Sequence, residues 1–203
     1  MAVGAASPIP ATACELLKAR GVRLRVSMLH KRRGNPFSEG SRELFDLAGQ
    51  GRIDVFFLGG AQIDGAANIN LVQAEGRRFP GSFGSAYLYP VVPRVILFRE
   101  EHSKRTLVPK VEFVSAAGSP QALLTGKALF TWQKDRRCFR LQSVHPGYTA
   151  DEVRQDTGFD FDFQEVTATP EPSAQELTLL RGPVADAIRA DYPDFAKKVW
   201  GLN

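Results

Sequence analysis

The sequence has few of the side chains that most often carry metal or nucleophilic chemistry. Its 203 residues include two cysteines, Cys14 and Cys138, and three histidines. Two cysteines cannot form a disulfide framework, and neither the cysteines nor the histidines show metal-ligand spacing. We therefore expect two reduced structural thiols and no metal site.

Several familiar motifs are also missing. The sequence has no serine nucleophile elbow, no phosphate loop ending in Gly-Lys-Ser/Thr and no spaced-glycine dinucleotide fingerprint. No apolar run approaches the roughly 18 residues of a transmembrane helix. The segment Met1–Pro10 lacks the basic region and apolar core of a secretory signal. These absences predict a cytoplasmic protein that does not enter the membrane.

Charge is present but is not organised for nucleic acid. The formal net charge is +4, and the basic residues form two clusters, one at Arg23, Arg25 and Lys31–Arg33 and one at Lys134–Arg137. Acidic residues are scattered through the chain, and aromatic residues are not interleaved with the basic runs as they are in single-strand binders. We expect no nucleic-acid partner. The clusters could face a phosphorylated cofactor or form a solvated surface, and the run Arg99–His102 is expected to be exposed charge.

The order of patterns along the first third of the chain favours an α/β fold. Helix Ala11–Arg20 is followed by a strand over Val22–Leu29, in which apolar and polar residues alternate. A short helix, Ser41–Ala48, leads into the apolar run Arg52–Leu58, which is typical of a strand buried on both faces of a parallel sheet. The length is sufficient for a single domain spanning residues 1–203.

The later part of the chain is first strand-rich and then helical. Four β segments are predicted with no helix between them, at Val91–Phe98, Leu107–Val114, Ala128–Gln133 and Cys138–Val144. Helices return at two capping boxes, Thr149 with Glu152 and Ser173 with Glu176. These patterns predict an open, mixed and largely parallel sheet flanked by helices.

Two glycine-rich stretches are the best candidates for ligand contact. Gly59 and Gly60 directly follow the buried strand, and ligands of open α/β sheets bind outside the carboxyl ends of the strands. Gly81, Ser82 and Gly84 form a second loop that can present backbone amides to an oxyanion. Glycines also serve ordinary turns, so neither stretch alone identifies a function.

Together the stretches resemble a known family. The block Leu58–Asp64 with Gly65–Asn70 resembles the β-subunit signature of glutaconate CoA-transferase-like proteins, and Pro80–Ser85 resembles the Gly-Ser-Gly-Gly loop of that family. His145–Thr149, with the residues up to Asp160, is similar to the family's C-terminal motif. The resemblance implies the α/β fold shared by CoA-transferases and some sugar-phosphate isomerases. It also implies an α-type partner in a heterodimer or heterotetramer, and acyl-CoA as substrate with no tightly bound cofactor.

The resemblance also implies a binding site and a mechanism. The implied CoA and substrate site comprises Gly59, Gly60, Gln62, Asp64, Asn68, Gly81, Ser82 and Gly84. In the transferase branch a glutamate carboxylate attacks the thioester and becomes a glutamyl-CoA thioester, while amides of the glycine-rich loop stabilise the oxyanion. Lys31, Arg32 and Arg33 could contact the CoA phosphates.

The sequence departs from the family pattern at the nucleophile. The family has a glutamate at the end of the second strand, whereas Val26–His30 contains no carboxylate. The nearest alternative is Glu39, in Ser38-Glu39-Gly40, which could equally be a solvated acid near a helix N-terminus. We expect a CoA-transferase β-type subunit with Glu39 as nucleophile. The alternatives are a sister-branch hydrolase that cleaves a carbon–carbon bond in a ring-bearing acyl-CoA, and a non-catalytic partner subunit.

Overall fold

The fold is that of a computed structural model, which describes residues 1–4, 7–29, 37 and 39–202. The chain divides into two compact units. Unit 1 comprises Met1–Ser38 and Glu171–Asn203, and unit 2 comprises Glu39–Pro170. The single domain over residues 1–203 stays a prediction.

The described residues form short helices and strands. The helices are α1 Pro8–Ala19, α2 Ser41–Gly49, α3 Ser85–Val91, α4 Ala150–Asp156, α5 Ala174–Leu179, α6 Ala185–Asp191 and α7 Pro193–Trp200. The strands are β1 Ala2–Val3, β2 Ser27–Met28, β3 Val55–Gly59, β4 Gln62–Asp64, β5 Ile69–Asn70, β6 Gln73–Ala74, β7 Arg77–Arg78, β8 Arg94–Arg99, β9 Leu107–Val108, β10 Ala122–Thr125, β11 Ala128–Gln133, β12 Cys138–Val144 and β13 Thr167–Ala168.

Unit 1 packs helices from both ends of the chain around a small apolar core. Helix α1 contacts α5, α6 and the π-helical turn Leu180–Val184 that joins them, and β1 pairs in parallel with β2. Cys14, Val184 and Ile188 are fully or almost fully buried. Burial raises the pKa of the Cys14 thiol to about 11, which keeps it protonated at neutral pH. Cys14 is therefore a structural thiol.

Unit 2 is built on a mixed sheet. Six of its strands lie side by side in the order β13-β12-β11-β10-β8-β3. Among the described residues, three of the five pairings between them are parallel, namely β12 with β13, β8 with β10 and β3 with β8. Leu97, Leu123, Phe130 and Leu141 are completely buried in this sheet. The expected mixed, largely parallel sheet with flanking helices is confirmed.

A second small sheet extends unit 2 beyond the end of β3. Strand β4 pairs antiparallel with β5 and parallel with β9. The hairpin of β6 and β7, exposed except at Ala74, follows β5 directly. This small sheet carries the first glycine-rich stretch, so it positions most of the predicted site.

Elements with strong local signals agree with the sequence. Strands β11 and β12 have the predicted bounds, and α2 and β3 lie within a few residues of theirs. Both predicted capping boxes form, with Thr149 accepting from the Glu152 amide and Ser173 from the Glu176 amide. The capping boxes depend only on residues within one helical turn, so the sequence is sufficient to predict them.

Several elements differ from the sequence-based expectation, and three of the differences have a clear physical reason. The strand predicted over Val22–Leu29 is wrong for its first half, because β1 has only two residues and therefore pairs only with Ser27 and Met28. The strand over Leu107–Val114 ends at Val108, directly before Pro109, which has no amide for the ladder. Helix α3 was not predicted, because Pro90 lies inside it.

The structure also bears on membrane insertion. Among the residues that it describes, no helix combines the length and the apolar character that crossing a bilayer requires.

His102 is buried, so the expectation that it belongs to an exposed run is wrong. Its Nδ1 lies 2.7 Å from Thr125 Oγ1 at the end of β10, and its Nε2 lies 3.0 Å from Thr157 Oγ1 just after α4. The ring stacks on Phe130 with 6.1 Å between centroids. His102 therefore links α4 to the sheet inside unit 2.

We predict that His102 makes stability depend on pH. Burial lowers its pKa to about 4, whereas an unfolded histidine titrates near 6.5. Between these values only the unfolded chain binds the proton, so the free energy of unfolding is highest above pH 6.5 and falls as the pH falls. The expected slope from this group is at most about 1.4 kcal/mol per pH unit.

Urea unfolding at pH 6.5, 5.8 and 5.0 would measure this slope, and His102→Gln is the matched variant. We expect the variant to be less stable at pH 6.5 and its stability to change less with pH. This range lies above the ordinary pKa of carboxylates, so acid pairs contribute little to the difference. An unchanged slope in the variant would contradict the assignment.

Candidate active site

Two adjacent glycines at the end of β3 have different structural roles. A Cβ on Gly60 would lie 2.9 Å from the Gln62 carbonyl oxygen and 3.2 Å from the Ile63 side chain, so the turn into β4 requires glycine there. Among the described residues, a Cβ on Gly59 would meet only the Phe98 carbonyl oxygen, at an ordinary 3.5 Å. Neither packing nor a positive φ requires glycine at position 59. The backbone at the strand end is therefore open to close approach.

The buried carboxylate of Asp64 organises the loop after this turn. Oδ1 accepts from the amides of Ala66 and Asn68, each at 3.0 Å. Oδ2 accepts from Asn68 Nδ2 at 3.1 Å and from the amide of Val111 at 3.2 Å. Asp64 is 2% exposed, so these donors stand in for its hydration. Its carboxylate holds the loop closed rather than facing solvent.

Gln62 has a similar part in a neighbouring network. Its Nε2 donates to the Glu112 carboxylate at 2.8 Å, and its Oε1 accepts from Asn70 Nδ2 at 2.9 Å and from the Glu112 amide at 3.2 Å. The Glu112 carboxylate also accepts from the Glu75 amide in the β6–β7 hairpin. Gln62 thus joins β4, β5 and the segment after β9.

The second glycine-rich loop lies on the surface beside α2. Gly81 and Gly84 have φ values of 124° and 69°, which favour glycine. A side chain on Gly84 would also clash with the Phe45 ring of α2. The amide of Ser85 donates to the Ser82 carbonyl at 2.9 Å and closes the turn. Gly81 is exposed and Ser82 is half-buried, so this loop is accessible.

Helix α3 connects the two glycine-rich stretches. It begins directly after the second loop, and its buried Tyr89 donates a hydrogen bond of 3.0 Å to the Ala67 carbonyl in the first stretch. Burial, with the nearby Asp64 charge, raises the pKa of Tyr89, so it remains a donor. The two stretches are therefore parts of one hydrogen-bonded assembly in unit 2.

Glu39 lies just before Gly40, the N-cap of α2, and outside this assembly. Its side chain is 66% exposed and pairs with Arg42 at 3.6 Å. Its amide faces Glu43 Oε2 at 3.5 Å. Among the described residues, no hydrogen bond joins Glu39 to either glycine-rich stretch. The Glu39 carboxylate is therefore accessible to solvent.

Several other residues of the sequence prediction have clear positions or fall outside the described residues. Both ring nitrogens of His145 have partners, Thr169 Oγ1 at 2.8 Å and the Thr125 carbonyl at 3.1 Å, so this histidine fixes a turn. Lys31–Arg33, considered for CoA phosphates, lie outside the described residues.

Sequence reasoning missed Tyr89, Glu112 and Arg99 at this site. Arg99 ends β8 and donates to the Gly60 carbonyl at 3.3 Å. Only the pairing of β8 with β3 places it there, and no local motif reports that pairing. Asn70 was also missed, although it stands in the same Asn-Ile-Asn block as the predicted Asn68.

Curated proteins with similar sequences include CoA-transferase subunits and one hydrolase subunit. The chain is 31% identical to the B-type subunit of 3-oxoadipate CoA-transferase from Pseudomonas knackmussii over 64% of its length and 58% of that protein. It is 24% identical to the B-type subunit of glutaconate CoA-transferase from Acidaminococcus fermentans over 63% of this chain and 55% of that protein. It is 28% identical to the cholesterol ring-cleaving hydrolase IpdB subunit of Rhodococcus jostii over 69% of this chain and 62% of that protein. The matched regions thus span less than two thirds of each relative.

Solved structures of the same fold cover more of the chain. The decarboxylase AibA/AibB matches 92% of this chain and 90% of its own, with a TM-score of 0.71 and 25% identity. Glutaconate coenzyme A-transferase from Acidaminococcus fermentans matches 89% of this chain and 86% of its own, with a TM-score of 0.76 and 18% identity. The latter likeness, at this identity, concerns the fold alone.

A family model also matches most of the chain. The model described as Coenzyme A transferase matches residues 21–156, which include both glycine-rich stretches and most of unit 2. This match covers more than half of the chain and confirms the resemblance noted from the sequence blocks. The chain belongs to the coenzyme A transferase family.

Proposed function

We propose that this chain is the β-type subunit of a heteromeric CoA-transferase, which moves CoA between carboxylic acids together with an α-type subunit. The observation that carries the proposal is Gly59, a glycine that neither backbone nor packing requires, at the carboxyl end of a buried parallel strand. Such a position lets a ligand approach the backbone closely. In a member of this family, an acyl-CoA thioester is the fitting ligand.

The proposal divides the predicted site residues into two groups. The first consists of backbone positions that would contact CoA or the reacting acyl group, namely Gly59, Gly60, Gly81, Ser82 and Gly84. The second consists of side chains that hold the loops in shape, namely Gln62, Asp64 and Asn68. Amides fixed before the reaction stabilise a developing oxyanion without further reorganisation.

The proposed chemistry uses the carboxylate of Glu39. Its oxygen attacks the thioester carbonyl, and the C–S bond breaks. CoA departs as the thiolate, and a mixed anhydride between Glu39 and the acyl group remains. The thiolate then attacks the glutamyl carbonyl, which forms the glutamyl-CoA thioester and releases the first carboxylate. The carboxylate of the acceptor acid then attacks the glutamyl-CoA thioester, which forms a second mixed anhydride and releases CoA thiolate. The thiolate attacks the acceptor's carbonyl in this anhydride, which gives the new acyl-CoA and regenerates Glu39. Support comes from the accessibility of Glu39 and its weak pairing with Arg42, since a nucleophile must be free to reach substrate.

The remaining parts of the proposal follow from the same chemistry. CoA and acyl-CoA are substrates rather than resident cofactors, and the reaction needs no metal. The α-type subunit forms a heterodimer or heterotetramer with this chain and completes the site. The complex works in the cytoplasm, as the sequence led us to expect.

We predict that Glu39→Gln abolishes CoA transfer. The amide preserves size but is not a nucleophile, so transfer of CoA to a labelled carboxylic acid should fall about a thousandfold or more. The assay uses the complex with the α-type subunit, and Asp46→Asn, an exposed carboxylate on the helix α2 that follows Glu39, is the control. Transfer that survives in Glu39→Gln would remove Glu39 from the mechanism.

One observation favours a second candidate function. Strand β2 consists of Ser27 and Met28 and so has no carboxylate, and Glu39 follows it by eleven positions. A hydrolase acting on a ring-bearing acyl-CoA, with its catalytic acid on the other subunit, fits this arrangement. It would consume acyl-CoA without an acceptor acid and form no CoA adduct on this chain. A partner that only completes the α-type subunit's site would likewise carry no adduct.

We predict that Asp64 stabilises the loop that follows Gly60. Asp64→Ala leaves the amides of Ala66, Asn68 and Val111 without an acceptor and should lower the free energy of unfolding by about 3 kcal/mol. Asp64→Asn, which keeps one oxygen, should cost less. Urea unfolding measures both, with the exposed Asp160→Ala as control. Equal stability of Asp64→Ala and the control would contradict the role.

A further inference from the structure

Arg99 occupies the edge of the sheet at which ligands of open α/β folds bind. It is the last residue of β8, where Phe98 lies opposite Gly59 on β3 and Arg99 itself lies opposite Thr125 on β10. The three parallel strands therefore end side by side. Ligands in such sheets bind outside the carboxyl ends of the strands. Arg99 thus brings a fixed positive charge next to the open backbone of Gly59.

The guanidinium of Arg99 is incompletely satisfied by the protein. It donates to the Gly60 carbonyl and to Glu101 Oε2, and both distances are 3.3 Å, long for bonds from a charged donor. Its Nε–H is buried, and none of the described residues accepts a hydrogen bond from it. A buried N–H without an acceptor is costly, so a conformation that satisfies it is favoured when an acceptor is available. About a third of the side chain is exposed.

Glu101 can release Arg99 at little cost because other donors hold it. Ser103 Oγ donates to Oε1 at 2.8 Å, and Arg105 donates from Nε at 3.1 Å and from Nη2 at 2.5 Å. Burial acts to raise the pKa of Glu101, but the hydrogen bonds from Ser103 and Arg105 outweigh it, and the pKa is lowered. Glu101 therefore stays ionised and paired with Arg105 after Arg99 leaves.

The geometry points to Arg99 as an oxyanion-binding residue that exchanges Glu101 for the carboxylate of the acid substrate. A guanidinium offers Nε–H and a neighbouring Nη–H as a fork that matches a carboxylate or phosphate in two parallel bonds. Because Nε–H is buried in the described conformation, the exchange requires the guanidinium to turn towards the ligand, and Nε–H then gains the acceptor that it otherwise lacks. The identity of the ligand as the acid substrate rests on the proposed function. A phosphate of CoA has the same chemistry, so a carboxylate probe and a phosphate probe are needed to separate the two sources.

Binding to the complex with the α-type subunit tests this inference without turnover. Glutarate serves as the carboxylate probe and inorganic pyrophosphate as the phosphate probe, with Kd from calorimetry. Arg99→Gln should weaken binding of one probe by about tenfold or more, and Arg99→Lys, which keeps the charge but loses the fork, by less. Arg94→Gln, at the amino end of the same strand, should change neither Kd by more than about twofold.

The probes give distinct outcomes. Loss of glutarate binding supports the substrate carboxylate as ligand, and loss of pyrophosphate binding alone supports an oxyanion site used by CoA. Equal Kd values for Arg99→Gln and the native complex overturn the inference, as does absence of binding of both probes to the native complex. In the native complex, the NMR signal of the Arg99 Nε–H should also shift on titration with the bound probe, which needs no variant.

A parallel transfer assay separates this inference from the proposed function. Arg99→Gln should raise KM for the acceptor acid by about tenfold or more with a smaller change in kcat. If the native complex transfers no CoA but Arg99→Gln loses probe binding, the proposed function fails and the oxyanion site stands. If transfer proceeds with unchanged KM and probe binding in Arg99→Gln, the oxyanion site fails and the function stands.

Discussion

The shape of the candidate site depends on one buried carboxylate. Asp64 accepts four hydrogen bonds from two chain segments, three from the loop Ala66–Asn68 and one from Val111, so the start of the small sheet, this loop and the chain at Val111 are held together. These donors stabilise a charge that has little access to water, so losing them is more costly than losing a surface contact. Because this network is complete within unit 2, the strand end at Gly59 is presented in a defined position.

The carboxyl edge of the sheet has a closed part and an open part. Thr125, at the end of β10, is used entirely inside the protein, since its hydroxyl meets His102 and the residues of the following turn. At the ends of β3 and β8, by contrast, Gly59 has room beside its backbone, and the Nε–H of Arg99 has no acceptor among the described residues. Because of this difference, the proposal places the ligand over β3 and β8. His102 has a structural role in the closed part, because it bonds to the Thr125 hydroxyl.

Local signals in the sequence predicted the elements whose formation depends on local contacts. The capping boxes at Thr149 and Ser173 and the alternating strands β11 and β12 are such cases, because hydrogen-bond partners and period-two patterns lie within a few residues. The strand over Val22–Leu29 failed since its length depends on the short β1, far away in sequence. No local pattern reports the length of a partner strand.

The same distinction applies to the candidate site. The glycines were predicted from sequence, because the turn and the buried strand before it leave a composition signal, whereas the Gln-x-Asp block was predicted from the family resemblance. The hydrogen-bonding role of Asp64 was not, because Val111 reaches it across 47 positions of chain. Arg99 was assigned to exposed charge, since its place beside Gly60 depends on the pairing of β3 with β8. Family resemblance located the site, and only the fold assigned its side chains.

We propose that CoA passes through a covalent thioester on this chain. Intact-mass spectrometry of the complex with the α-type subunit, after incubation with an acyl-CoA and without an acceptor acid, tests it directly. We expect a CoA adduct on this chain that borohydride removes, that peptide mapping places on Glu39 and that is absent from Glu39→Gln. An unmodified chain in a complex that consumes the acyl-CoA would contradict the account.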